Sequence, residues 1–204
     1  MNTKSHWEHI YKTRSSREVS WFQPHADQSL ALIRSVPHDD PCRIIDVGGG
    51  ASTLVDDLVD LGNFDVTVLD ISSAALDVAR QRMARRASSA RWLIGDVTRM
   101  QLPEHAYDVW HDRAVFHFMT SAEQRAAYVS QVRRAVRPGG HVIVAASGPA
   151  GPVECSGLPV IRYAPDELHA QFGDAFELVD HVAEAHRTPA DTVQQFVYCH
   201  CVMQ

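Results

Sequence analysis

No run of the 204 residues reaches the eighteen or so uninterrupted apolar positions that a membrane span needs, and the opening MNTKSHWEHIYK has no apolar stretch after its first charges. The chain is therefore expected to be cytoplasmic and to make no membrane contact. Basic charge is also in deficit. Against 25 Asp and Glu there are 19 Lys and Arg, a formal net charge of -6, the wrong sign for a protein that binds nucleic-acid phosphates. The arginine run RQRMARR falls in a helical pattern and reads as a solvated face. Cys42, Cys155, Cys199 and Cys201 are too few and too irregularly placed for a disulfide framework, and no CxxC pair marks a zinc site, so reduced thiols are expected. The 12 histidines are scattered without ligand spacing, and no metal is expected. Two nucleotide signatures are missing as well: a GxGxxG starting at Gly48 fails because Thr53 holds the last glycine's place, and no Gly-Lys-Ser/Thr loop occurs.

What is present is an alternation. The β-branched runs RIIDV, VTVLD, RWLIGD, YDVWHD and HVIVAAS are separated by helical patterns over about 53–61, 73–86 and 122–136, the signature of βαβ units on a parallel sheet. The last of these helices opens on SAEQ, a capping box with Ser121 as N-cap and Gln124 three residues on, and stops before Pro138. A Gly/Pro-rich loop and a short helix near 165–172 follow, then FELVDHVAEA and TVQQFVYCHCV, close enough in sequence to pair as an antiparallel hairpin. With 45% hydrophobic and 22% charged residues, one globular domain over 1–204 is expected: an aromatic leader over 1–40, a ligand-binding core over 41–147, and a loop with the hairpin over 148–204.

The stretch IIDVGGGAS, Ile44 to Ser52, sits at the first strand-to-helix turn. Open α/β sheets bind ligands there, and glycines let a ligand approach the backbone and the next helix N-terminus. An acid closes each of the first three strands. Asp70 lies 24 positions beyond Asp46 and is followed by Ile71, and Asp96 is followed by Val97. A carboxylate placed as Asp70 is has the acceptor geometry for a ribose diol.

Asp46-x-Gly48-x-Gly50 with Asp70 and Asp96 resembles the cofactor motifs of the class I S-adenosylmethionine-dependent methyltransferases. In WHDRAVFH and in the leader HWEHIYKTRSSREVSWFQP the chain resembles two branches in particular, the thiopurine and the elongation-factor lysine methyltransferases. The resemblance departs at Ser52, where many relatives carry a third glycine. It implies an α/β, Rossmann-like, seven-stranded sheet, mostly parallel with an antiparallel C-terminal hairpin and helices on both faces. It also implies S-adenosylmethionine as cofactor and S-adenosylhomocysteine as product. Cofactor contacts would be Trp21, Asp46, Gly48, Gly49, Gly50, Asp70, Ile71, Asp96, Val97 and His111. Trp7 and Tyr11 would help the leader close over the site, with Phe22 and Cys155 toward the substrate.

Methyl transfer from a sulfonium needs alignment in a dry pocket more than it needs metal or base. Asp112, Arg113 and His117 are the expected catalytic or orienting residues. Successive strand residues alternate faces, so His111 and Asp112 are not expected to share the site, and Asp112 is placed toward the cofactor. A small-molecule acceptor is expected: a sulfur, selenium or arsenic nucleophile, or a metabolite's amine or hydroxyl. Thiophilic ions would find soft ligands in Cys155, or in Cys199 and Cys201, which share one strand face. A protein lysine is the alternative acceptor, and a non-catalytic cofactor-binding module the third reading.

Overall fold

Strands covered on both faces are buried along nearly their whole length, as the central segments Cys42–Val47, Phe64–Asp70 and Tyr107–Arg113 are. The computed structural model describes residues 3–204; Met1 and Asn2, the start of the expected leader, lie outside them. A seven-stranded sheet has the order β3-β2-β1-β4-β5-β9-β8. Its strands are β1 (Cys42–Val47), β2 (Phe64–Asp70), β3 (Ala90–Ile94), β4 (Tyr107–Arg113), β5 (Val136–Ser147), β8 (Phe176–Arg187) and β9 (Val193–Met203). The first five are parallel, and β9 pairs antiparallel with both β5 and β8. Two-residue strands β6 (Glu154–Cys155) and β7 (Leu158–Pro159) form a separate small hairpin. The fold is the class I methyltransferase sheet that the resemblance implies.

Helices α1 (Thr3–Thr13), α2 (Asp27–Ser35), α3 (Leu54–Leu61), α4 (Ser73–Met83), α5 (Ala122–Ala135) and α6 (Pro165–Ala170) surround the sheet. Period-two alternation divides β1 and β4 between two cores: Ile45, Val47 and Trp110 pack on one face with Tyr128 of α5, while Ile44 and Val109 pack on the other with Leu54 and Leu58 of α3. The chain winds outward from β1 in one direction and from β4 in the other, which leaves a crevice at the carboxyl ends where the order reverses. Among the described residues no helix is long and apolar enough to cross a membrane.

Local differences from the sequence reading have local causes. The helix expected over 73–86 ends at Met83 because Ala84 takes φ 52, and a 3-10 turn over Ala84–Ser89 follows. The fifth strand begins at Val136, ahead of Arg137-Pro-Gly-Gly, and the pairing register with β4 shifts between Tyr107 and Val109 to absorb it. The capping box forms as expected: Gln124 N–H donates to Ser121 Oγ at 3.2 Å, and Ser121 N–H donates to Gln124 Oε1 at 3.1 Å.

Candidate active site

Four strand ends and the leader enclose two adjoining cavities. The larger, about 160 Å³, is lined by Gly48, Asp70, Ile71, Asp96 and Val97 on the sheet side, and by Trp7, Tyr11, Trp21, Phe118 and Cys155 opposite. The smaller is lined by Asp46, Gly48, Gly49, His111 and Arg113 from the sheet, and by Trp21, Phe22 and Gln23 from the leader. Tyr11, Trp21, Gly48 and Arg113 line both.

The glycines fit these places for stated reasons. Gly48 takes φ +70, and a Cβ there would strike Val115; a Cβ on Gly49 would strike Asp46 Oδ2 and come 2.6 Å from Val68. Gly50 lines neither cavity. It lets Asp70 approach, since a Cβ would lie 2.8 Å from Asp70 Oδ2. The loop after it is clamped by Arg82 of α4, which donates to Ala51 O at 2.7 Å and Ser52 O at 2.6 Å while pairing with Asp56. Ser52, where the chain departs from the resembled motif, accepts from Leu54 N–H at 3.2 Å and so helps start α3.

Asp46 Oδ1 accepts from His111 Nδ1 at 2.7 Å, whereas Asp46 Oδ2 is buried without a partner. A bare buried carboxylate oxygen beside a cavity suits a cationic ligand group, such as the ammonium of a methionyl moiety. Asp70 accepts from Ser72 N–H at 2.7 Å, and Asp96 from Thr98 N–H at 2.9 Å. With the glycine turn, these residues fit S-adenosylmethionine with its amino end in the smaller cavity and its nucleoside in the larger.

The leader is stitched down at several points. Glu8 Oε1 accepts from Ser73 N–H at 2.7 Å at the start of α4; Trp21 O accepts from Arg113 at 3.3 Å, and Ser20 O from His186 at 2.7 Å. Trp7 stands edge-on to Trp21 at 5.6 Å and to Phe118 at 5.3 Å, which makes an aromatic roof. Burial and the neighbouring Asp70 carboxylate push the Tyr11 phenol up, so it remains a hydrogen-bond donor.

Several placements correct the sequence reading. Asp112 lines neither cavity: it is 0% exposed and points to the opposite side of the sheet from His111. There it accepts from Val115 N–H at 2.8 Å, Phe116 N–H at 3.0 Å and Tyr128 OH at 2.5 Å. His117 lines neither cavity; it accepts from Ser147 N–H at 3.1 Å, and burial pushes its imidazole down to about 3, which keeps it neutral. Phe22, expected toward the substrate, lines the smaller cavity together with Asp46. Arg113 is at the site, but its guanidinium is engaged by Glu184 at 3.2 Å, Tyr198 OH at 3.1 Å and Trp21 O. Cys199 and Cys201 pack in the core, where the Cys199 contact and burial push the Cys201 thiol up; Cys155 lines the larger cavity.

Burial raises the Asp70 carboxyl from 3.8 to about 7, and the Asp46 and Glu8 carboxylates add to the rise. The folded state thus holds this proton more tightly than the unfolded chain. The stability it contributes is complete below 3.8 and is lost as pH rises through about 7. Asp70→Asn is expected to flatten this loss and to melt about 3–6 °C above the parent at pH 8 without ligand, while weakening cofactor binding. Thermal melts from pH 4 to 8 check it; parallel curves for both proteins would contradict it.

Residues 44–140 match the methyltransferase domain family. Over 138 residues the chain is 24% identical to the eEF1A lysine and N-terminal methyltransferase of Bos taurus, an alignment covering 68% of this chain and 19% of that protein. This chain spans 19–21% of the length of such curated relatives. Among solved structures, one concerned with conversion of a disulfide bond into a thioacetal group during echinomycin biosynthesis superposes with a TM-score of 0.80 at 19% identity, covering 100% of this chain and 93% of the other. An S-adenosylmethionine-dependent methyltransferase from Anabaena variabilis gives 0.77 at 15% identity, covering 100% and 96%.

Proposed function

We propose that this chain is a class I S-adenosylmethionine-dependent methyltransferase that methylates a small-molecule nucleophile entering beneath the aromatic leader; its fold and the methyltransferase domain family matched by residues 44–140 support the first part of this reading. When bound, the cofactor supplies a methyl group already activated on a sulfonium. Asp46 would hold the amino end, Asp70 the ribose hydroxyls, and Asp96 with Val97 the adenine. Trp7, Trp21 and Phe118 exclude water from the transfer.

The observation that carries the acceptor class is the character of the roof. Trp7, Tyr11, Trp21, Phe118 and Cys155 present no free carboxylate, and Glu184 nearby is engaged by Arg113, Tyr198 and Gln23. Asp70 and Asp96 line the same cavity but are assigned to the cofactor, so a cationic lysine would find no remaining carboxylate there. The groups best able to take a proton are also engaged elsewhere: Asp112 accepts from three donors, His117 is buried and neutral, and His111 lies between Asp46 and Ser29. An acceptor that arrives as an anion, such as a thiolate, suits this wall, because it needs no base.

A protein amine is the second reading, favoured by the name of the Bos taurus relative. Product S-adenosylhomocysteine would be measured with thiols, selenite and arsenite in one arm and a lysine-containing protein extract in the other. Turnover with a soft anion and none with the extract supports the proposal. Turnover with the extract alone overturns it.

A further inference from the structure

Tyr11, Trp21, Gly48 and Arg113 line both cavities and so border the passage where the two adjoin. Gly48 contributes backbone alone. Arg113 contributes a cation whose charge is already answered: its guanidinium pairs with Glu184 at 3.2 Å, donates to Tyr198 OH at 3.1 Å and to Trp21 O at 3.3 Å, and lies over the Phe196 ring at 4.4 Å. The rest of this border is aromatic. Trp21 stands at 71° to Tyr11 with ring centroids 6.3 Å apart, and at 82° to Trp7 at 5.6 Å. The three rings form a corner, which Phe118 extends from Trp7 at 5.3 Å and 74°.

An aromatic face carries the negative end of a quadrupole and attracts a cation placed over it within about 6 Å, the more so once water is excluded. The carboxylates around the passage have other duties. Asp46 accepts from His111 through Oδ1 and offers Oδ2 to the cofactor's amino end; Asp70 and Asp96 serve its nucleoside. Glu184 accepts from Arg113, Tyr198 and Gln23. Among the described residues that border the passage, a further positive charge therefore finds rings and no spare carboxylate.

We propose that Trp21 and Tyr11 recognise the sulfonium of S-adenosylmethionine by its charge, so that the protein binds the methyl-bearing cofactor in preference to its neutral product. This rests on the cofactor reading above: with the amino end against Asp46 and the nucleoside in the larger cavity, the sulfonium that joins them falls in the passage. The two ligands differ by one methyl group and one positive charge. Burial of the methyl group favours S-adenosylmethionine modestly on its own, and the ring faces add a preference that a thioether does not share. Positive charge leaves the sulfur during transfer, so rings that hold it in the ground state favour loading of the site over the rate of the chemical step. Trp21 and Tyr11 are thus specificity-determining residues: they promote exchange of spent cofactor for fresh.

The test is calorimetric titration of the parent, Trp21→Leu and Tyr11→Phe with S-adenosylmethionine and with S-adenosylhomocysteine, in the absence of an acceptor. The parent is expected to bind S-adenosylmethionine about 20-fold more tightly, a factor of about four coming from the added methyl group and the remainder from the rings. Trp21→Leu keeps an apolar wall without a π face and should cut this margin about threefold, through weaker S-adenosylmethionine binding. Tyr11→Phe keeps the ring and should leave the margin as it is. A parent margin of about four or less, an equal margin in Trp21→Leu, or a margin lost in Tyr11→Phe would overturn the inference and leave the cofactor reading intact. No binding of either ligand by the folded parent would overturn both. Should Trp21→Leu fail to fold, protein carrying fluorinated tryptophan at its four tryptophan positions decides, because fluorine drains the ring face and keeps its shape. Weakened S-adenosylmethionine binding with unchanged S-adenosylhomocysteine binding supports the proposal, and equal effects on the two ligands overturn it.

Discussion

Replacing Asp46 with asparagine is expected to raise the dissociation constant for S-adenosylhomocysteine about 100-fold while the melting temperature moves little. Asparagine preserves the volume, and its carbonyl oxygen can still accept from His111 Nδ1, the contact that now measures 2.7 Å. What disappears is the charge on the unpartnered Oδ2. Hydrogen bonds to a charged group contribute about 1.5–3 kcal/mol, and a factor of 100 corresponds to about 2.7 kcal/mol, so one such contact accounts for the effect. Asp46→Ala should bind no more tightly and should also lose stability, because it leaves the His111 ring facing a void. Calorimetry on both variants, with melting curves as the control for folding, checks the prediction. Unchanged affinity in a folded Asp46→Asn protein would mean that the amino end of the cofactor lies elsewhere.

Asp112→Ala is expected to cost about 3–5 kcal/mol of stability, enough to lower the melting temperature by about 10 °C. The carboxylate accepts from two backbone amides, those of Val115 and Phe116, and from the Tyr128 hydroxyl, which itself accepts from Trp110 Nε1 at 2.9 Å. Alanine leaves those donors buried without an acceptor and opens the packing among Trp110, Phe116 and Tyr128, whose rings stand 5.6 and 4.9 Å apart. Asp112→Asn should lie between the two, since a single carbonyl oxygen replaces two acceptors. A catalytic carboxylate would behave oppositely: the asparagine variant would be as stable as the parent and would lose turnover. Melting curves combined with turnover per folded molecule separate these outcomes.

The contrast between Asp46 and Asp112 shows what the sequence makes legible. Strand ends and glycine turns are local, so Asp46, Asp70, Asp96 and the Gly48–Gly50 turn could be placed before any coordinates, as could the Ser121 capping box and the antiparallel hairpin. Alternation along β4 correctly separates His111 from Asp112. It does not say which of the two faces the cavities, because parity carries no sign and both sides of this sheet are covered. One local cue does exist. Asp112 stands three and four residues ahead of the amides it caps, and the 3-10 turn Phe116–Phe118 follows at once, a pattern that reads as a turn cap.

The hydrogen-bonded run of buried side chains from Asp46 through His111, Ser29 and Tyr198 to Glu184 is illegible for a different reason. Its members come from β1, β4, α2, β9 and β8, and only the long-range register of the sheet brings them into line. Ser29 in a helix, Tyr198 and Glu184 in late strands each have an ordinary local role. The Glu8 contact with Ser73 is likewise a meeting of two helices far apart in sequence, visible only once α1 lies across the start of α4.

Titrating the protein with S-adenosylhomocysteine while following tryptophan emission tests the placement of the site most directly. Trp7 and Trp21 line the larger cavity, whereas Trp110 is fully buried in the core and Trp92 lies under Arg80 of α4, outside both cavity linings. Saturable quenching with a micromolar midpoint is expected, abolished when Trp7 and Trp21 are both replaced by phenylalanine although the ligand still binds by calorimetry. Binding that leaves the emission unchanged in the parent protein would put the cofactor away from the aromatic roof and contradict the site.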